Sequence, residues 1–274
     1  MVQPKILLFP VLLLVCGACG GRHEEEPTLD VHTQAEVDDE QVGQTFDPPR
    51  FWAMKQVVTT LVVVPFNGET EMAAQTASYT VMEWEVQGDG SIIQHEHYCW
   101  SEISEVAGMT TSLPEAFYDA ANSDERDAVL SDMTVGSTYI AADHLSLYGA
   151  ELDDPVGEAL PTSPDDPRVV DFEGDGKPGF TAIVSGWLGT AEAYMAQRSV
   201  TTMQGQLLNQ GRIEGGVTQT LEQQILDADK WWAAMDGFQS VPDPEPSHNY
   251  FVLKATDGEM TCDELAGVYT SFFE

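Results

Sequence analysis

Hydrophobic and polar positions alternate along most of this chain. In "SYTVMEWEV", Tyr79, Val81, Glu83 and Glu85 share one face, and Thr80, Met82, Trp84 and Val86 share the other. A period of two is the mark of a half-buried strand. "QGDGS" then supplies turn chemistry, and "IIQHEHYCWSEIS" runs back as the second arm of a hairpin. "QVVTTLVVVPF" is β-branched and apolar. "GFTAIVSGWLG" and "TAEAYMAQRSVTTMQGQLL" meet at Gly189, a further turn falls at Gly211, and "NYFVLKAT" reads as a last strand. Helical signals are few. Pro114 to Asn122 reads as one short helix, and "SDERDAVLSDM" as a second, with Ser123 as its N-cap. "TCDELAGVYTSFF" reads as a terminal helix, because Thr261 and Glu264 stand in capping-box spacing. That places Cys262 in its first turn.

Strands joined by tight turns predict an all-β fold. Two architectures fit: an antiparallel barrel of the lipocalin type, or a two-sheet sandwich, either with a few short helices. Consecutive hairpins favour the barrel, since a meander closes its own edges. No unit of propeller size repeats. The β-domain is expected to run from Phe51 to Glu274 as a single unit.

The segment before it reads differently. Lys5, an apolar run from Ile6 to Val15 and the small residues of "VCGACGG" have the layout of an export signal. The run is shorter than the roughly 20 residues that a membrane span needs. "CGAC" resembles the lipobox of bacterial lipoproteins, with Cys16 where that family usually has Leu. The resemblance implies a signal peptide over 1–18, lipidation of Cys19 and the outer membrane as destination, since Gly20 and Gly21 replace the Asp that retains some lipoproteins at the inner membrane. From 19 to 50 the chain is acidic and nearly free of aromatics, which predicts a disordered tether. Of four cysteines, Cys99 and Cys262 remain for the domain, and in an exported protein one disulfide is the simplest use.

Charge narrows the partners. Acids number 46 and bases 11, a net of -35. Such a chain is repelled by nucleic acid and by anionic headgroups. The expected contact with a membrane is through the lipid anchor.

One stretch carries candidate metal chemistry. In "DFEGDGKPGF", Asp171, Glu173 and Asp175 occupy alternating positions, Gly176 allows a sharp turn, and the Lys177 carbonyl follows. Alternating carboxylates around a turn are what a calcium cage requires. Gly179 and Ala182 stand where an EF-hand places its last ligands, so an EF-hand is excluded. The stretch resembles the calcium loop of FG-GAP repeats and departs from it at Gly179, where that family has Asp. The resemblance implies loop chemistry for one calcium ion and no propeller. Asp165 and Asp166 are the nearest further acids. The other reading is an Asp/Gly turn whose side chains cap its own amides. The wider run "LPTSPDDPRVVDFEGDGKPGFT", with "TCDEL", resembles exported lipoproteins of Gram-negative envelopes. That implies a shared fold and brings no catalytic residues.

Other chemistry is thin. His95 and His97 share a strand face and could give zinc two ligands, with no third nearby. GxSxG, HExxH and phosphate-loop motifs are absent. Glu83, Glu85 and Glu96 are the carboxylates that a glycosidase-like pair would draw on. The tryptophans Trp52, Trp84, Trp100, Trp187, Trp231 and Trp232 are either core or the lining of a ligand cavity. The function expected is therefore non-catalytic: a binding or structural β-domain on an outer-membrane lipoprotein, with calcium at the 171–177 loop. The alternatives are a carrier of a small apolar ligand inside a barrel, marked by an open interior, and an envelope hydrolase, marked by converging carboxylates or a His–carboxylate pair.

Overall fold

A computed structural model describes residues 29, 32, 35–63, 71–121, 124–234 and 240–274. The segment expected to be a signal peptide, 1–18, and the expected lipidation site Cys19 lie outside the described residues.

The long alternating segments form an antiparallel barrel. Eight strands close it in chain order: β1 (Phe51–Val63), β2 (Glu71–Val86), β3 (Ser91–Ile103), β5 (Asp124–Leu130), β6 (Thr138–Tyr148), β8 (Gly189–Asn209), β9 (Arg212–Ala228) and β11 (Tyr250–Ala255). β11 pairs with β1 and with β9, which shuts the ring. The barrel expectation is thus met, and the sandwich is not the architecture.

Three short strands are added to this meander. β4 (Thr110–Ser112) and β7 (Phe180–Gly186) lie beside the first part of β8, and β10 (Ser240–Pro242) lies beside the end of β1. They divide the barrel into two storeys. In the lower one, β8 pairs with β6 over Gln197 to Gln206, and β1 pairs with β11 over Trp52 to Val57. In the upper one, β7 takes over from β6 and β10 takes over from β11. β4 pairs only with β7, and β10 only with β1, so among the described residues two seams of the upper wall lack a hydrogen-bonded ladder.

Inward residues of the lower storey form the main core. Trp52 and Trp84 stack at 4.5 Å, and Tyr139, Met203, Leu207, Ile213 and Phe251 are fully buried around them. A second core lies outside the barrel. There Ala53, Val57, Tyr79, Val81, Tyr250 and Val252, the outward residues of β1, β2 and β11, are covered by a terminal helix, α2 (Cys262–Phe272). Leu265 of α2 is 0 % exposed, and Tyr269 meets Tyr79 and Trp100 edge-on. The capping box is present: Thr261 Oγ1 accepts from the Glu264 amide, and Glu264 accepts from the Thr261 amide. Cys99 and Cys262 form a disulfide that pins the first turn of α2 to β3.

Two expectations are corrected. "SDERDAVLSDM" is not a helix: Asp124–Leu130 is strand β5, with Ser123 outside the described residues. Arg126, Ala128 and Leu130 are buried while Glu125, Asp127 and Val129 face out, so period two overrides helix propensity here. The tether does not extend to residue 50. Residues 35–50 cross the barrel, with Phe46 2 % exposed against Trp52. The Asp38 amide donates to the Leu208 carbonyl, and Phe46 donates to Met133. One aromatic at the right place and backbone bonds to the barrel offset the ordering entropy that composition suggested would prevail. The expected helix at 114–122 is α1 (Glu115–Ala120), whose Phe117 is 2 % exposed.

Candidate functional site

The upper storey is not filled. Its inward side chains surround a cavity of about 380 Å³. The change of character can be followed up β8. Leu207 and Met203 are core, Thr201, Ser199 and Gln197 are polar, and Met195 and Ala193 are apolar again. A polar layer therefore separates the packed base from an apolar chamber. The chamber walls include Val62, Phe117, Phe180, Val184, Met195 and Trp232.

The polar layer is built from alternation. Glu96 on β3, Asp124 and Arg126 on β5, His144 on β6, Thr201 on β8 and Gln219 on β9 all point inward. Arg126 Nε lies 3.3 Å from Glu96 Oε1, with those side chains 4 % and 10 % exposed. His144 Nε2 lies 3.2 Å from Asp124 Oδ2. Burial pushes the Glu96 carboxyl up, and the Arg126 charge opposes that. Burial, aided by the same Arg126, pushes His144 down, against the pull of Asp124.

The acidic loop lies away from this chamber floor. Asp171 accepts hydrogen bonds from the amides of Gly174, Asp175 and Gly176 at 2.8 to 3.0 Å. Asp175 accepts from the Lys177 amide, and both Glu173 oxygens accept from the Thr181 amide. Lys177 sets its Nζ over the Tyr194 ring at 5.1 Å. Asp165 is exposed, and Asp166 is committed to Arg168, which holds it at about 2. Among the described residues no three His, Cys, Asp or Glu side chains converge as a metal site. The loop carboxylates accept from amides of the loop and from Thr181 on β7, as in a capped turn.

The remaining candidates separate. His95 sits between Glu85 and Glu125 on the outer surface, at 3.5 and 3.2 Å. Glu83 and Glu85 face out while Glu96 faces in, so they form no acid–base pair with it. Trp52 and Trp84 are core, Trp100 packs under α2, Trp187 and Trp231 are exposed, and Trp232 lines the chamber. His144 with Asp124 is a His–carboxylate pair of the kind a hydrolase uses, but among the described residues no hydroxyl or thiol hydrogen-bonds His144. Arg126 and His144 were not among the candidates of the sequence. The available signal was an arginine on the apolar face of an alternating segment, in a chain with only 11 basic residues.

No helix among the described residues is long and apolar enough to cross a membrane. No family model, curated protein or solved structure matches the chain.

Proposed function

We propose that the barrel holds a small, largely apolar molecule, as the soluble part of a lipoprotein anchored in the bacterial outer membrane through Cys19. The observation that carries this is the contrast between storeys. The same strands bury Trp52, Trp84 and Tyr139 against one another below, yet surround a cavity of about 380 Å³ above. That volume falls in the range of small-ligand sites, about 300–1,000 Å³, and its mixture of apolar walls with a few convergent polar groups is typical of them. Unfilled apolar space forfeits dispersion contacts, so an occupant stabilises what neighbouring side chains leave open. The lipobox resemblance and export layout support the anchored setting, and the disulfide fits an oxidising compartment.

The test is binding of N-phenyl-1-naphthylamine, an uncharged fluorescent probe, to the full chain. Ala182 is 5 % exposed and points into the chamber from β7, so Ala182→Trp fills it. Saturable binding at one site is expected in the native protein, weakened about tenfold or more by A182W with unchanged circular dichroism. Absence of binding to the native protein, or equal binding by both, overturns the reading.

A further inference from the structure

The floor of the chamber holds a buried cation that the protein leaves incompletely paired. Arg126 is 5 % exposed, and its Nη1 and Nε have no hydrogen-bond partner. Glu96 Oε1 is near Nε at 3.3 Å but is itself without a hydrogen bond, so the pair is close and misaligned. Nη2 reaches Thr201 Oγ1 only at 3.5 Å. A guanidinium stays charged in any protein environment and offers five N–H groups in a plane. Buried donors are nearly always satisfied, and one left unpaired costs stability.

Other groups facing Arg126 do not fill the need. Asp124 is taken by His144 at 3.2 Å, and its side chain is 58 % exposed and so screened by water. Burial and the Arg126 charge both disfavour the charged form of His144. Among the described residues Glu96 is the buried counter-charge beside Arg126, and burial favours its neutral form. Gln219 adds a further buried polar atom without a partner, Oε1, whose amide can present either end. Above these groups the walls are mainly apolar, with Val62, Phe180, Val184 and Met195 beside a few hydroxyls such as Thr60 and Thr111.

We propose that Arg126 Nη1 receives the carboxylate of a single-chain carboxylic acid whose hydrocarbon tail occupies the upper storey. This rests on the chamber being a binding site. A planar fork of N–H donors matches a carboxylate, and the resulting charge-assisted bonds are strengthened by exclusion of water. A tail alone would need only the chamber. The floor distinguishes an acid from an alcohol of the same chain.

Fluorescence titration of the full chain with cis-parinaric acid and with the corresponding alcohol tests this. The native protein is expected to bind the acid about tenfold more tightly, the scale of a hydrogen bond to a charged group. Arg126→Met is expected to level the two, with alcohol binding retained. Glu96→Gln removes the competing carboxylate and is expected to widen the preference. Equal affinity in the native protein, or a preference that survives R126M, overturns the assignment of the head group while leaving the chamber reading intact. Absence of both lipids and of the naphthylamine probe from the native protein overturns the chamber reading as well. Should R126M fail to fold, the native comparison and E96Q decide.

Discussion

Gly179 shows why a likeness stops where it does. It has φ +85°, and a Cβ added there would lie 2.2 Å from the Met195 carbonyl oxygen. A Cβ added at Gly149, which has φ +74°, would lie 2.3 Å from the same oxygen. The Asp that FG-GAP loops carry at this position therefore has no room. The sequence shows only that Gly replaces Asp, and the reason is a carbonyl 16 residues away on β8. Gly174 is a natural control, since its φ is +74° but nothing lies within 4 Å of its added Cβ. Gly174→Ala is expected to cost about 1–2 kcal/mol, the left-handed backbone penalty alone. Gly179→Ala adds the clash and is expected to cost at least about 2 kcal/mol more. Urea unfolding of the two variants checks this, and equal losses would remove the steric argument. Arg126 is the opposite case. Its type and position were plain in the sequence, but its meaning needs the interior of a closed ring, which no local pattern reveals.

At the scale of elements, alternation proved a better guide than propensity. The β2–β3 hairpin, the β7–β8 turn at Gly189 and α2 with its capping box were all legible, because each depends on neighbours in sequence. β5 was misread, since Asp, Glu, Arg and Ala are poor strand formers and only pairing with β3 and β6 holds them extended. β6 carried no turn signal strong enough to mark it. The α2 helix makes the clearest prediction here. Its eleven residues could not hold a stable helix alone. Packing on the outer barrel face and the 163-residue span closed by Cys99 and Cys262 hold it in place. In the chain-entropy account, removing the bridge costs about 4–5 kcal/mol. The double variant Cys99→Ala, Cys262→Ala is expected to unfold at lower urea concentration, with its unfolding free energy reduced by about that amount. It should also lose amide protection in α2 before β1 and β2. Protection lost at the same rate in all three would show that the helix does not depend on the bridge.

For the whole molecule, the barrel could be foreseen and its two storeys could not. Meander order follows from short turns between long strands. The upper storey instead comes from three excursions, β4, β7 and β10, whose partners lie far along the chain or depend on where another strand stops. Likewise, composition marked 19–50 as tether, yet Phe46 anchors part of it across the barrel.

The two seams of the upper wall bear on kinetics. β4 and β10 are each held by three residue pairs, against thirteen between β1 and β2. Openings that break few bonds are frequent and need not unfold the core. Amides of 110–112, Ser240 and Val241 are therefore expected to exchange hydrogen faster than those of the lower ring, and exchange at a common rate would contradict this. For a molecule held as proposed, residence time is then governed by the fraying of two short strands, so release can be tuned at the rim without altering the floor that selects it.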